Sequence, residues 1–198
     1  MKKNKKTKKR KKEMSVLPWL TLRNCPGEIV RRLQQGADVN EQDTYGETAL
    51  YYACLHRRIE IIEILLKNNN INVNLQDTIS GWSTFSSACR SNGHESVLLM
   101  IQDPRVDINM ANDYGMSPLL MACYMGRTTT VQLLLSFGRN IDIYKKSTED
   151  YEDIESGLTA LDVAKQKNRT DVVKLLEQYQ NNPKEAQKTI RNELNLKG

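Results

Sequence analysis

Apolar and polar residues recur along this chain in short blocks of one pattern. Each block begins with a glycine, has Ser or Thr two residues later, a large apolar residue at the fifth position and an alanine at the eighth. The blocks occupy residues 46–53, 81–88, 115–122 and 157–164, and their glycines are 35, 34 and 42 residues apart. A period near 34 residues predicts a solenoid, a stack of supersecondary units that bury their apolar faces against one another.

Each block also predicts how its unit begins. The glycine suits a tight turn with positive φ, and the hydroxyl two residues later suits the N-cap of a first helix. A second helix follows, with apolar residues at helical spacing such as Ile61, Ile62 and Leu65. The predicted capping hydroxyls belong to Thr48, Ser83, Ser117 and Thr159.

Residues 43–50, Asp-Thr-Tyr-Gly-Glu-Thr-Ala-Leu, and residues 36–40, Gly-Ala-Asp-Val-Asn, carry a family signature. The pattern resembles the ankyrin repeat over roughly residues 24–180. The family's usual histidine is replaced in all four units, by Tyr51, Ser86, Leu120 and Asp162. The resemblance implies an all-α solenoid of helix–turn–helix units with β-turn or hairpin fingers, whose usual role is binding without chemistry.

The register predicts how the chain is divided. We expect a disordered basic arm at 1–13, an N-terminal capping repeat at 14–40, ankyrin repeats at 41–180 and an amphipathic helix at 181–198. The full units lie near 43–74, 77–109, 112–143 and 154–180, with an acidic finger insert near 145–156. The terminal helix is expected either to cover the last repeat or to act as a partner-docking or dimerising helix.

The first twelve residues carry nine Lys or Arg side chains, whereas the whole chain has a net charge of +5. The remaining residues therefore carry a net charge of −4. Lys8, Lys9, Arg10 and Lys11 resemble a nuclear-import signal. Contact with nucleic-acid phosphate, attraction to an anionic membrane surface and a solvated arm with no dedicated partner are the other interpretations.

Three of the four cysteines occupy one repeat position, directly after the alanines: Cys54, Cys89 and Cys123. Equivalent positions in stacked helices lie about 10 Å apart, beyond the roughly 7 Å that a disulfide allows. They are therefore predicted to be buried, unpaired thiols, which suits the cytoplasm or the nucleus. No Cys-x-x-Cys pair, phosphate-binding loop or nucleophile motif is present, so no metal, cofactor or catalytic residue is predicted.

The resemblance implies a concave binding surface, made by the fingers and the exposed sides of the first helices. Variable positions there carry aromatic side chains that the repeat does not need for its core, and such residues carry much of the energy of protein interfaces. Alternatively, these rings only cover the surface. The predicted partner-binding residues are Tyr45, Glu47, Trp82, Arg90, Tyr114, Met116, Tyr124 and Met125.

The acidic insert has five carboxylates within seven residues, 149–155, interrupted by Tyr151. It is interpreted as a solvated loop, a charged recognition finger or a segment that binds the chain's own basic arm.

The predicted function is that of a non-catalytic protein–protein interaction scaffold, monomeric, without a membrane span and located in the cytoplasm or the nucleus. The alternatives are a nucleic-acid-associated adaptor that uses the basic arm and a stoichiometric inhibitor or regulatory subunit of an enzyme. An import receptor is a further candidate partner of the arm.

Overall fold

The computed structural model describes residues 15–91 and 93–196, which form eleven α-helices. The predicted basic arm, with Lys8, Lys9, Arg10 and Lys11, lies outside the described residues. The helices are α1 (Val16–Leu22), α2 (Pro26–Gln34), α3 (Ala49–Leu55), α4 (Ile59–Leu66), α5 (Thr84–Arg90), α6 (His94–Gln102), α7 (Pro118–Tyr124), α8 (Thr128–Ser136), α9 (Ala160–Gln166), α10 (Thr170–Asn181) and α11 (Pro183–Glu193).

The first ten helices form five consecutive helix–turn–helix pairs, and the pairs stack so that the helices lie in two layers. The first helices α1, α3, α5, α7 and α9 pack against one another in chain order, and the second helices α2, α4, α6, α8 and α10 do the same. Within the described ranges, β structure is confined to isolated bridges. The predicted all-α solenoid is therefore confirmed.

The predicted helix caps are also confirmed. The hydroxyls of Thr48, Ser83, Ser117 and Thr159 each accept a hydrogen bond from the backbone N–H three residues later. Pro118 follows its cap at the first helical position, where a missing N–H leaves no bond unmade. Each cap begins a first helix at the same place in its unit, which keeps the first-helix layer in register.

A finger precedes each of the helices α3, α5, α7 and α9, and each finger after the first is hydrogen-bonded to the one before it. The backbone N–H of Thr78 donates to the carbonyl of Tyr45 at 2.8 Å, and that of Thr148 donates to Tyr114 at 2.9 Å. Gly115 has φ +74°, and a Cβ atom there would lie 2.5 Å from the Thr148 backbone nitrogen. Glycine is therefore needed both for the turn and for the close approach of the next finger.

Asparagine side chains at the end of successive units form a second ladder between units. Asn74 Nδ2 donates to the carbonyl of Arg105 at 2.8 Å, while Asn74 Oδ1 accepts from the N–H of Asp107 at 2.8 Å. Asn40 and Asn109 make the same pair of bonds one unit earlier and one unit later. Because an amide both donates and accepts, a single side chain fixes the spacing of two units.

The core of the first-helix layer is built from small side chains. The alanines at the last position of the repeat block, Ala53, Ala88, Ala122 and Ala164, are all 0% exposed. Cys54, Cys89 and Cys123 are buried beside them as free thiols, as predicted. Burial raises the pKa of each of these thiols well above its usual range.

The C-terminal helix α11 folds back over the second-helix layer. It packs against α8 and α10 through the buried side chains of Ala186 and Ile190. Asn182 caps it by accepting the backbone N–H of Glu185 at 3.3 Å. The apolar side of this helix therefore covers the second helices of the last two units.

The four cysteines should differ sharply in reactivity. At neutral pH a thiol-specific aromatic disulfide reagent should label one site per chain rapidly, because Cys25 is partly exposed while the other three thiols are buried and protonated. In strong denaturant all four should react. Rapid labelling of two or more thiols in the folded protein would contradict the buried stack.

Candidate functional site

The surface formed by the fingers and the exposed sides of the first helices is here called the finger face. Its first half contains an open cleft of about 370 Å³ between the first two fingers and helices α3 and α5. Four of the eight predicted partner-binding residues line this cleft: Tyr45, Glu47, Trp82 and Arg90.

Exposed apolar side chains stand at the mouth of the cleft. Tyr45 is 56% exposed and Ile79 is 68% exposed, each at the tip of its own finger. Below them, Tyr52 donates a hydrogen bond from its hydroxyl to Asp43 Oδ2 at 2.9 Å. The ring of Tyr52 stacks on His56 with an interplanar angle of 6°. The cleft thus has an apolar rim and an ordered aromatic wall.

Three charged side chains line the cleft: Glu47, Asp77 and Arg90. The carboxylate of Asp77 accepts backbone N–H groups of its own finger. Glu47 and Arg90 form no ion pair with another described residue. Burial, together with the carboxylates of Glu47 and Asp43, raises the pKa of Tyr52 well above its usual range. Tyr52 therefore keeps its proton and remains a hydrogen-bond donor. The cleft offers a partner one carboxylate, one guanidinium and aromatic surface.

Sequence reasoning was wrong about the exposure of two of the predicted residues. Met116 is 0% exposed and Trp82 is only 8% exposed. Both directly precede an N-cap hydroxyl, at the base of a finger, where an apolar side chain turns into the gap between two units. At the equivalent position of the other two units, Glu47 and Leu158 stay partly exposed. Met116 is therefore a core residue, and Trp82 offers the cleft no more than an edge.

The second half of the finger face is occupied by the acidic insert. The ring of Tyr151 lies against three aromatic rings from the repeats, with centroids 5.6 Å from Trp82, 5.3 Å from Tyr114 and 5.8 Å from Tyr124. All three contacts are edge-on, a geometry that aromatic rings prefer. Tyr114 and Tyr124 are consequently half-buried rather than free. We name the space between these three rings the aromatic slot.

Carboxylates of the insert are bound beside the aromatic slot. The hydroxyl of Tyr124 donates to the carboxylates of Glu152 and Asp153, and Lys167 forms an ion pair with Asp153. Lys167 Nζ also lies 4.7 Å from the centroid of the Tyr124 ring. The hydrogen bond from Lys167 holds the pKa of Asp153 below its usual range, and the bond to Glu152 raises the pKa of Tyr124.

The insert is therefore not the solvated loop that was one of its interpretations. Tyr151 is half-buried and Ile154 is 1% exposed. A lone aromatic residue among five acids was the one sequence signal that could have indicated this contact. Met125, the last predicted residue, is half-buried against the core beside α7.

The described residues show little that could do chemistry. Among them, no group of three or more His, Cys, Asp or Glu side chains is arranged to hold a metal ion. Every helix in the described ranges is also too short or too polar to cross a bilayer. His56 and His94 line a shallow surface depression with Arg57 and Glu95 and are both exposed. What remains is a pre-formed surface of stacked units with an open cleft, the arrangement of a repeat-solenoid protein.

Comparison with known proteins identifies the kind of solenoid. A family model described as ankyrin repeats in three copies matches residues 17–112 and 85–188. The chain therefore belongs to the ankyrin-repeat family. Ankyrin repeats generally mediate protein–protein interaction, and the family is generally non-catalytic.

Individual relatives share the repeats but are longer proteins. The chain is 31% identical over 109 residues to the ankyrin repeat protein nuc-2 of Neurospora crassa, covering 55% of this chain and 10% of that protein. It is 28% identical over 127 residues to the human SMC5-SMC6 complex localization factor protein 1, covering 64% of this chain and 11% of that protein. A putative ankyrin repeat protein of fowlpox virus, FPV031, is 26% identical over 165 residues, covering 82% and 46%. The chain thus spans about a tenth of the length of the first two relatives.

Replacement of Trp82 should affect stability rather than only the surface. We expect Trp82→Ala to lower the free energy of unfolding by about 3–5 kcal/mol, since it empties a buried site and removes a ring that Tyr151 contacts. Tyr45→Ala, at an exposed fingertip, should change it by no more than about 0.5 kcal/mol. Urea unfolding followed by far-UV circular dichroism measures both. Equal effects of the two substitutions would contradict the burial of Trp82.

The ion pair of Asp153 should depend on pH in one direction. Because the folded-state pKa of Asp153 is lowered, its stabilising contribution is present above the unfolded pKa of about 4 and is lost as pH falls through the folded value. The difference in melting temperature between the wild type and Asp153→Asn should therefore be constant near neutral pH and shrink below about pH 4. A difference that grows on acidification would show that Lys167 does not stabilise the carboxylate.

Proposed function

We propose that this chain is a non-catalytic scaffold or adaptor that holds a partner protein on its finger face, with the cleft between the first two fingers as the anchoring point. The observation that carries the proposal is the cleft itself. It is a concavity with two exposed apolar fingertips, Tyr45 and Ile79, and two charged groups without an ion partner among the described residues.

The size and chemistry of the cleft favour a side chain of a protein over a small metabolite. A volume of about 370 Å³ lies at the lower end of the range for small-molecule sites. An aromatic or aliphatic anchor of a partner would fit between the fingertips, while Glu47 and Arg90 pair with polar groups around it. Interfaces commonly combine such an aromatic anchor with a polar rim.

The fingers support the proposal because they are held in place before any partner arrives. Each finger is closed by a backbone hydrogen bond of its own, and adjacent fingers are bonded to each other through their backbones. A pre-organised surface loses less conformational entropy on binding, so more of the contact energy appears as affinity.

We also propose that the chain works in the cytoplasm or the nucleus. Support comes from four free thiols, three of them buried at one repeat position. Oxidising compartments favour paired cysteines in small domains, and these thiols are too deeply placed to pair without unfolding the stack.

The cleft is tested by partner capture followed by a binding measurement. A partner recovered stoichiometrically with the wild-type chain is purified, and its Kd is measured by calorimetry for Tyr45→Ala, Arg90→Ala and Tyr144→Ala. We expect the first two to weaken binding about 30-fold or more, the effect of an interface hot spot. Tyr144 is 63% exposed but does not line the cleft, so Tyr144→Ala is the matched control and should bind as the wild type does.

Two results would contradict the proposal. Unchanged binding by both cleft variants would remove the cleft from the interface. Loss of binding only on deletion of residues 1–12, with a steep dependence on salt, would instead favour the nucleic-acid-associated adaptor that uses the basic arm.

A further inference from the structure

The two halves of the finger face differ in one respect. The cleft between the first two fingers is open, whereas the aromatic slot farther along is filled by a segment of the chain itself. The ring of Tyr151 enters the slot from the insert, and the three rings around it come from two fingers and helix α7. The repeats therefore build the slot and the insert occupies it.

The occupying segment is a compact turn of four residues. The backbone groups of Tyr151 and Ile154 exchange two hydrogen bonds of 2.9 Å, and Glu152 takes the positive φ of +51° that closes the turn. As a result, Tyr151 and Ile154 are placed against the protein while Glu152 and Asp153 remain at the surface.

Groups of the repeats receive the two acids of the turn. Tyr124 donates to both carboxylates, Lys167 pairs with Asp153, and Gln166 Nε2 donates to the backbone carbonyl of Asp153 at 3.0 Å. The side chain of Lys167 is only 16% exposed although it carries a charge. The slot thus combines an aromatic pocket with a partly buried cation and amide and hydroxyl donors at its edge.

We propose that the aromatic slot is a second binding site, for a short acidic segment of a partner protein with an aromatic residue followed by two acids and an aliphatic residue. In the free chain the insert, Tyr-Glu-Asp-Ile at 151–154, occupies the site in cis. A partner segment must displace the insert, so the insert sets a threshold for binding. A tethered segment has an effective concentration on the order of 1 mM. A partner segment therefore displaces the insert only if it binds the slot more tightly than the insert does, or if other contacts hold it nearby.

This site adjoins the cleft proposed above, because Trp82 lines the cleft and also contacts Tyr151. The tests of the two proposals use different residues and different partners. Failure of one proposal is therefore distinguishable from failure of the other.

The test uses a synthetic peptide of residues 148–156 and a full-length variant in which residues 149–155 are replaced by glycine and serine in equal number. We expect saturable 1:1 binding of the peptide to this variant, at least tenfold tighter than to the wild type, by calorimetry. A peptide with Tyr151→Ala should bind at least tenfold more weakly. In the replaced variant, Lys167→Glu should also weaken binding at least tenfold, whereas Lys174→Glu, an exposed lysine of α10, should not.

Folding of the variants is checked first, by far-UV circular dichroism and melting temperature. If the replaced variant does not fold, the peptide is measured against Tyr151→Ala with Glu152→Ala and Asp153→Ala in the intact chain, which removes from the slot the ring and both carboxylates that the peptide supplies. Absence of saturable binding to a folded variant up to about 1 mM peptide would overturn the proposal and leave the insert with a structural role alone. Wild-type dimers that exchange inserts would equally contradict occupation in cis.

Discussion

The whole structure depends on burial between neighbouring units, because no unit is stable by itself. The helices α3, α5, α7 and α9 have only seven residues each, about half the length at which an isolated helix becomes stable in water. Their alanines are completely buried. The helices α3, α5 and α7 contact a first helix on both sides, and α9 contacts α7 and α10. Small side chains at this position let the helices approach closely, which brings the fingers near enough to bond to one another.

The distance between units sets the positions of the fingers and so the shape of the finger face. Two ladders of hydrogen bonds fix that distance, one through the finger backbones and one through Asn40, Asn74 and Asn109. The asparagine ladder ends where Asp142 replaces the amide, since a carboxylate cannot donate. The following unit is the one that carries the insert, and its finger is linked to the stack through Thr148 and through the side chains around Tyr151. The backbone link between fingers is thus kept, and the contacts of Tyr151 are added where the asparagine link is missing.

Features that repeat could be predicted from the sequence, and features that occur once could not. The turn glycines, the caps and the buried thiols follow from four equivalent blocks, because every unit solves the same packing problem. The position before the cap has no fixed environment, since Glu47 is partly exposed there while Met116 is buried. How far a side chain at this position is buried depends on the neighbouring finger. The contact between Tyr151 and Trp82 joins residues 69 positions apart, across an insert that no other unit contains. No periodicity carries that information.

The insert also explains why the two halves of the finger face differ. Without it, the rings of Trp82, Tyr114 and Tyr124 would form a contiguous aromatic patch, and exposed patches of this kind promote association. A solvated loop of acids would not cover them, but a turn that carries one tyrosine and one isoleucine does. Its carboxylates remain outside, next to a lysine and a tyrosine hydroxyl that bind them. The turn residues therefore have two roles: they cover the aromatic rings, and they define the chemistry that a partner segment needs in order to displace them.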